Sequence, residues 1–386
     1  MKVTDVTVFT LHPGWRKNLI FVKVETDAGI TGWGECYSQY DRDPAVVAHV
    51  NELKRYLIGR DPFQIKHFTQ IGFEDYGQRR GSLELFCAIS GLECAMWDIV
   101  GKALDQPVYN LLGGPVKTKL RVYANGWYYK MNSPDDYARA AEKVIKDFGF
   151  TAIKFDPIAG PWRNHPPQEI ERKAVATVKA VRDAVGPDID ILIEVHRRLA
   201  PMHAIRLANA IDVYRPYWFE EPCMWENIDA LAEIRSAISI PVVTGEAIYT
   251  KAGFRPVIEA RAADILNPDV ASVGGILELK EIAAMAEPSY IAMSPHNYNS
   301  TVLGLAATVQ ASATMPNFII TEYFVPFIKL GDAVSPNQLK PKNGFIELPT
   351  APGLGVNINE EALMKYPGKP FPTRDLRRPE DEPGGY

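Results

Sequence analysis

Six polar residues recur along this chain at intervals that match one strand plus one helix of an alternating fold. The successive intervals are 26, 26, 23, 27 and 26 residues, and each of the first three residues ends a short apolar run. Because each interval moves the chain by one strand and returns it to the same side, all six residues are predicted to meet at the carboxyl-terminal rim of one parallel barrel. They are Glu194, Glu220, Glu246, Asp269, His296 and Glu322.

Short apolar runs alternate with amphipathic segments from about residue 120 to 330, which predicts eight strands with helices between them. This order implies a parallel sheet with right-handed crossovers, and the length suits a closed barrel. The alternative is an open doubly wound sheet, which usually carries Gly-x-Gly-x-x-Gly after its first strand; this sequence has no such motif there. The predicted strands are 121–125, 151–156, 189–194, 218–220, 242–246, 264–267, 290–294 and 318–322.

The chain divides into three predicted parts. Residues 1–115 begin with a hairpin, in which apolar runs flank Asp27-Ala28-Gly29, and continue with helical periodicity, so an α+β domain is expected. Residues 116–330 carry the barrel pattern. Residues 331–386 are rich in proline and glycine and contain one strand-like piece at 344–348.

Charge and composition exclude several classes of protein. The 42 basic and 47 acidic side chains give a net charge of −5, without the basic surplus of a nucleic-acid binder. No apolar run is long enough for a membrane span, and Met1–Asp5 does not begin a signal peptide. We therefore expect a cytoplasmic protein with neither a nucleic-acid nor a membrane partner. Cys87 and Cys94 lie in an apolar stretch and are interpreted as buried hydrophobic residues.

Three of the six rim residues are carboxylates on neighbouring predicted strands. Glu194, Glu220 and Glu246 offer only oxygen ligands, and Mg²⁺ is the ion that prefers such a set. Glu221 is the alternative to Glu220, but strand alternation sends the two to opposite faces and only Glu220 keeps the spacing. The sequence therefore predicts a magnesium site on these three glutamates.

Two histidines are expected beside this site. Asp269, on the strand next to that of His296, would hold one ring nitrogen and leave the other free to take a proton. His196 lies two residues after Glu194 and would share its face if the strand continues that far. For each histidine an ordinary structural role is the alternative.

Lys154, Asp156 and Glu322 complete the predicted rim. Lys154 and Asp156 share one face at the end of the second strand, where a lysine would bind a carboxylate, act as a base with a depressed pKa, or form an ion pair with a glutamate. Glu322 is crowded by acidic neighbours, and a protonated carboxyl there would donate a hydrogen bond. A magnesium ion facing one or two bases suits removal of a proton alpha to a carboxylate.

The motifs together resemble those of the enolase superfamily. The resemblance covers nearly the whole chain, is closest to the mandelate racemase subgroup, and within it to the acid-sugar dehydratases that act on gluconate or galactonate. It is carried by Trp33-Gly34-Glu35, by 95–102, by Leu111-Leu112-Gly113-Gly114, by Phe219-Glu220-Glu221-Pro222, by Asn267-Pro268-Asp269 with Gly274-Gly275-Ile276, and by 352–356.

This resemblance implies a modified (β/α)₇β barrel of the TIM type, covered by an α+β capping domain made of N- and C-terminal segments. It implies Mg²⁺ on the three glutamates, an Asp269–His296 dyad as general base, and Glu322 as donor to the enolate. His196 matches the extra histidine of galactonate-type dehydratases, where it protonates the departing hydroxyl. Relatives also imply a homo-oligomer, often an octamer.

The predicted activity is therefore dehydration of an acid sugar, an aldonate of the gluconate or galactonate type, to a 2-keto-3-deoxy acid. One departure from the racemase supports it: Lys154-Phe155-Asp156 replaces a Lys-x-Lys pair, so the second base is absent. The alternatives are an epimerase, racemase or cycloisomerase acting on a sugar acid or diacid, and a non-catalytic barrel. Candidate substrate-binding residues are Lys154, Asp156, Arg16, Arg79, Trp127, Trp162, His165 and Arg197, for some of which ordinary surface positions are an equal alternative.

Overall fold

The computed structural model describes residues 1–158, 165–298, 300 and 302–381, and it begins with an antiparallel sheet. The strands β1 (Val3–Leu11), β2 (Leu19–Thr26) and β3 (Thr31–Cys36) pair in chain order. The predicted hairpin is confirmed as β2 and β3. The sequence analysis missed β1, because a register shift between Val3 and Asp5 interrupts its alternation.

Helices cover this sheet, and we call β1–β3 with these helices the capping domain. The longest helix, α3, begins after Ser82, whose side chain accepts a hydrogen bond from the backbone N–H of Leu85. Because α3 is apolar on most sides, it is buried between β3 and the rest of the protein. The helices are α1 (Asp43–Leu57), α2 (Ile65–Ile71), α3 (Leu83–Ala103) and α4 (Val108–Leu111), with a π-helical turn at Gly72–Tyr76 after α2.

Close packing of β3 on α3 depends on Gly34. A Cβ atom at this position would lie 1.9 Å from the carbonyl oxygen of Gly91, a backbone atom that cannot move alone. We therefore expect Gly34→Ala to lower the free energy of unfolding by about 3 kcal/mol, measured by urea denaturation. Gly72→Ala is the control, because Gly72 has a helical φ of −61° and its nearest new neighbour is a flexible Ile89 carbon at 3.3 Å. Equal losses in the two variants would contradict this expectation.

The second part is a parallel sheet of eight strands within the described residues, in the order β10-β9-β8-β7-β6-β5-β4-β11. A helix connects each strand to the next. The strands are β4 (Lys119–Asn125), β5 (Ala152–Phe155), β6 (Asp190–Glu194), β7 (Trp218–Glu220), β8 (Val242–Thr244), β9 (Ile265–Leu266), β10 (Ala292–Met293) and β11 (Thr321–Phe324). The helices are α5 (Pro134–Phe148), α6 (Pro167–Val185), α7 (Pro201–Ile211), α8 (Ile228–Ala237), α9 (Thr250–Glu259), α10 (Ile276–Ala286) and α11 (Val302–Ser312).

The ends of this sheet meet and close the barrel. Met293 of β10 forms a parallel bridge with Phe318, just before β11. The Met293 N–H donates to the Asn317 carbonyl at 2.9 Å, and the Ile319 N–H donates to the Met293 carbonyl at 3.0 Å. Seven strand–helix units followed by an eighth strand form the predicted (β/α)₇β barrel. Its interior is filled by a buried cluster of Tyr123, Ala152, Leu192, Trp218, Val243, Ile265 and Ile320.

All eight predicted barrel strands are present, but several end earlier than expected. Glu246 lies two residues past β8 and Asp269 three residues past β9, whereas Glu322 lies inside β11. The rim is therefore formed partly by loops that follow very short strands. Within the described residues, no helix is both long and apolar enough to cross a membrane.

The C-terminal part contacts both the barrel and the capping domain. Here β12 (Phe345–Glu347) pairs antiparallel with β4. Further along, the backbone of Lys369 binds the side chain of Asn18 in two hydrogen bonds, of 2.8 and 3.0 Å. Two short helices belong to this part. The helix α12 (Ile328–Val334) lies between β11 and β12 in the chain, and α13 (Glu360–Leu363) lies between β12 and Lys369. The domain boundaries at 115 and 330 stay predictions.

Candidate active site

Three carboxylates, two of them buried and the third partly exposed, form the centre of the barrel mouth. Glu194 ends β6, Glu220 ends β7, and these two residues are register partners in the parallel ladder. Glu246 follows β8. One oxygen from each lies within 4.8 Å of the others, which is a spacing that a single cation can bridge.

The chemistry of this cluster fits an oxygen-preferring divalent cation. Glu194 Oε2 and Glu220 Oε2 are buried and accept no hydrogen bond from the described residues. Burial, together with the charges of Glu220 and Glu246, raises the pKa of Glu194 well above its usual value. A bound dication would give these two oxygens a partner and would reduce the repulsion among the three carboxylates. The all-oxygen ligand set suits Mg²⁺.

Lys154 provides a cation next to this cluster. Its Nζ lies 2.7 Å from Glu220 Oε1, 3.7 Å from Glu194 and 3.9 Å from Glu322. Burial alone would lower the pKa of Lys154, but these carboxylates outweigh burial and hold it well above its usual value. Of the hypotheses for Lys154, the ion pair with a glutamate is the one that this geometry favours, and the raised pKa of Lys154 argues against a base with a depressed pKa.

His296 and Asp269 form a hydrogen-bonded pair on one side of the cluster. His296 Nδ1 lies 2.8 Å from Asp269 Oδ2, and the two residues also form a parallel backbone bridge. His296 Nε2 points the other way, 3.1 Å from Glu246 Oε2. Burial opposes a charged imidazole, but Glu322, Asp269 and Glu246 outweigh it and raise the pKa of His296 to about 10. A dication on Glu246 would remove part of that effect.

Glu322 joins the first and last barrel strands. Its Oε1 accepts a hydrogen bond from the side-chain amide of Asn125, at the end of β4. Its Oε2 accepts from the backbone N–H of Asn297 at 3.1 Å and lies 3.6 Å from His296 Nε2. Glu322 therefore lies between the dyad and Lys154.

His196 lies on the opposite side of the cluster, but not for the predicted reason. Strand β6 ends at Glu194, and His196 has a left-handed backbone with φ of +48°. This turn lets its N–H donate to Glu194 Oε1 at 2.6 Å, while its Nδ1 lies 2.9 Å from Asp156 Oδ2. The strand ends at Glu194, as predicted, so the condition for His196 to share the face of Glu194 is not met, and His196 reaches the mouth through this turn instead.

Two family models match the chain. The model described as enolase C-terminal domain-like covers residues 136–362, and that of the mandelate racemase / muconate lactonizing enzyme N-terminal domain covers residues 5–113. The chain belongs to the enolase superfamily, in its mandelate racemase group. The sequence-based prediction of this family is confirmed.

Curated relatives and solved structures agree with this placement. The chain is 35% identical over 364 residues to D-gluconate dehydratase of Thermoproteus tenax, covering 92% of this chain and 71% of the relative. It is 34% identical to D-galactonate dehydratase of Variovorax paradoxus, covering 94% of both chains. A mandelate racemase/muconate lactonizing enzyme-like protein from Roseovarius sp. TM1035 superposes with a TM-score of 0.90 at 34% identity, covering 98% of this chain and 99% of that one. These comparisons confirm the predicted fold class and support the predicted enzyme class, a hydro-lyase.

In this enolase superfamily member, Asp156 and Arg197, which were predicted to bind the substrate, form hydrogen bonds with other residues of the protein. Asp156 is bound by Arg198 and by His196, and its Oδ1 accepts from the Ile158 N–H at 2.8 Å. Arg198 outweighs the effect of burial and lowers the pKa of Asp156. Arg197 donates to Glu246 and lies 3.3 Å from Glu221. Asp156 is thus placed to orient His196, and Arg197 to hold Glu246.

The capping domain reaches the barrel mouth through the loop that carries Arg16. Arg16 donates to the hydroxyl of Tyr298, and its guanidinium lies 4.9 Å from the centre of that ring. Tyr298 in turn lies 6.0 Å from His296, between ring centres. The next residue, Lys17, is buried, and burial lowers its pKa to about 8. The loop therefore brings two cations near the dyad.

Of the remaining predicted substrate contacts, three have protein partners in the structure and one is not described. Arg79 is exposed and pairs with Glu74 at 3.2 Å, and His165 pairs with Glu169 at 3.2 Å. Trp127 packs edge-on against Phe155, with ring centres 5.8 Å apart. Trp162 lies outside the described residues. Neither Arg79 nor His165 has a contact with the six rim residues in the described part of the chain.

Sequence analysis overlooked some neighbours of the site. The side-chain amide of Asn267 donates to Glu220 Oε1 at 2.9 Å, and Asn125 binds Glu322. Tyr37 lies edge-on to His296 at 6.2 Å between ring centres. The two asparagines could have been found from the sequence, because each is the last residue of a predicted strand. Tyr37 could not, because it belongs to the capping domain and follows no barrel strand.

Proposed function

We propose that this protein is a magnesium-dependent dehydratase of a sugar acid of the gluconate or galactonate type. It would remove the proton alpha to the carboxylate and eliminate the β-hydroxyl, giving a 2-keto-3-deoxy acid. The observation that supports this best is the placement of two histidines on opposite sides of one carboxylate cluster. His296 lies 3.1 Å from Glu246, and His196 lies 3.8 Å from Glu194.

Glu194, Glu220 and Glu246 would hold the Mg²⁺. When bound, the ion would neutralise the substrate carboxylate and the negative charge that grows on it as the α proton leaves. Lys154, whose Nζ lies 2.7 Å from Glu220, would add a second positive charge close to the bound substrate. The site therefore offers two sources of positive charge for a dianionic intermediate.

His296 is proposed as the base. Asp269 fixes its Nδ1, so Nε2 is the nitrogen that faces the mouth and takes the proton. Glu322, 3.6 Å from that nitrogen, is proposed to hydrogen-bond the developing enolate. Each of these groups is buried, so bulk water does not compete for the proton.

His196 is proposed as the acid that protonates the departing hydroxyl. Asp156 lies against His196 Nδ1 and thereby leaves Nε2 for the substrate. Asp156 takes the place where a second lysine would act as a base in a racemase, which disfavours two-base epimerisation. The curated relatives named above act on D-gluconate and D-galactonate, which supports an aldonate as substrate. A homo-oligomeric state stays a prediction.

A screen of mono- and diacid sugars with Mg²⁺, using semicarbazide to detect 2-keto acids, tests this proposal. We expect product from at least one C6 monoacid. A blank screen from protein with bound Mg²⁺ would contradict the dehydratase. Deuterium entering the α position from D₂O without 2-keto product would then identify an epimerase or racemase.

A further inference from the structure

The segments that carry Asp269 and His296 leave the barrel after very short strands. Each follows a strand of only two residues, Ile265–Leu266 for Asp269 and Ala292–Met293 for His296. Beyond these strands the two segments are bound to each other, since the His296 N–H donates to the Pro268 carbonyl at 3.1 Å and His296 Nδ1 lies 2.8 Å from Asp269. The segments that follow the two residues are bound in addition by the capping domain.

Helix α3 of the capping domain binds the loop after Asp269. The carboxylate of Glu93, which is fully buried, accepts hydrogen bonds from Ile276 N–H at 2.7 Å and Leu277 N–H at 3.0 Å, in the first turn of α10. These N–H groups have no partner inside their own helix, and a negative charge is favourable there. Gly275 leaves room for this contact, since it has φ of +97° and a Cβ on it would lie 2.1 Å from Glu93 Oε2.

Two more contacts from the capping domain hold the same loop. The Ser90 hydroxyl, one helical turn before Glu93, accepts from the Gly274 N–H at 2.9 Å. The Tyr37 N–H donates to the Ala271 carbonyl at 3.0 Å. The loop between Asp269 and α10 is thus bound to the capping domain along most of its length.

A second buried carboxylate acts on the helix after His296. Glu35, at 3% exposure in β3, accepts a hydrogen bond from the Gly304 N–H at 2.9 Å, in the first turn of α11. Helix α11 begins six residues after His296. Each member of the dyad is therefore followed by a helix whose first turn is bound by a glutamate of the capping domain.

We propose that Glu93 and Glu35 are positioning residues, which keep Asp269 and His296 in register by holding the helices that follow them. The capping domain would then support the chemistry of the barrel in addition to covering it. This inference rests on the proposed function, because it assumes that the dyad removes a proton. Neither glutamate contacts the carboxylate cluster among the contacts of the described residues, so the effect would act through the loops.

Glu93→Gln tests this inference. Glutamine has one acceptor oxygen and would place an NH₂ group against a backbone N–H, so one contact to α10 is lost. We expect kcat to fall roughly 10- to 100-fold, as for a small displacement of a catalytic group, with KM changed less than about 3-fold. The kinetic isotope effect with α-deuterated substrate should rise, because proton removal becomes slower. Amide hydrogen exchange at 270–277, measured without substrate, should become faster.

Asp98→Asn is the matched control. Asp98 lies on the same helix, is 1% exposed, and accepts backbone hydrogen bonds from Trp33 and Leu354, away from both loops. We expect its isotope effect and its exchange at 270–277 to match those of the native protein. An equal isotope-effect change in both variants, or no change in Glu93→Gln, would overturn the inference.

The failure of the proposed function can be told apart from the failure of this inference. If the native protein dehydrates no sugar acid, the proposed function fails. Unchanged amide exchange at 270–277 in Glu93→Gln would overturn the positioning role of Glu93 whether or not a substrate is found.

Discussion

His296→Asn is expected to lower kcat about 10⁴-fold on the substrate found in the screen. Asparagine keeps a polar group near Asp269 but has no nitrogen that accepts a proton. Because Glu194, Glu220 and Glu246 remain, Mg²⁺ affinity should fall by no more than about 10- to 100-fold, the range for a neighbour of a metal ligand, which is far less than the loss in kcat. Steady-state kinetics and calorimetric titration with Mg²⁺ measure the two quantities separately.

Two other histidine variants serve as comparisons for the kcat of His296→Asn. His67→Asn, at an exposed position on α2, should leave kcat unchanged. His196→Asn should abolish the 2-keto product while still allowing solvent deuterium to enter the α position, since His296 is intact. If His296→Asn retained more than a tenth of native activity, His296 would not be the base.

Glu220→Gln is expected to weaken Mg²⁺ binding about 100-fold or more and to abolish dehydration. Even neighbours of metal ligands typically contribute 10- to 100-fold in affinity, so a ligand at the centre of the cluster should contribute at least as much. The substitution also removes the carboxylate that holds Lys154 at 2.7 Å. Calorimetric titration with Mg²⁺ is the direct measurement, because it does not require a known substrate.

Glu221→Gln is the matched control for this experiment. Glu221 is the next residue and is equally buried, but its Oε1 accepts from the Gly245 N–H at 2.9 Å and its Oε2 faces Arg197. We expect this variant to lose no more than about 10-fold in Mg²⁺ affinity, the low end of the range for neighbours of metal ligands, because it keeps an acceptor oxygen for the Gly245 N–H. The reverse outcome, with Glu221→Gln losing the metal and Glu220→Gln keeping it, would exchange the roles of these two residues.

The barrel and its carboxylate cluster were accessible from sequence because both depend on local repetition. A strand and a helix take a nearly constant number of residues, so a regular interval between Glu194, Glu220 and Glu246 places them on one rim. The same local logic failed for His196, since strand alternation says nothing about where a strand stops. Only the left-handed turn after Glu194 explains how His196 reaches the mouth.

Contacts between distant parts of the chain were not accessible in this way. The hydrogen bonds of Asn125 to Glu322 and of Glu93 to α10 join residues 197 and 183 or more positions apart. No spacing rule predicts such pairs. The expected substrate contacts Arg79 and His165 stay predictions, because a charged or aromatic residue in a loop does not reveal which way that loop points. Arg16 does approach the site, through Tyr298.

Ring closure of the barrel has a consequence for biosynthesis. Strand β4 pairs with β11, so its edge stays uncovered until a segment almost 200 residues later has left the ribosome. An open strand edge is prone to pair with other chains, and pairings between distant segments form slowly. The nascent chain would carry all three glutamates of the proposed metal site before Glu322 is synthesised. Catalytic competence and protection from aggregation would be gained in the same late folding event.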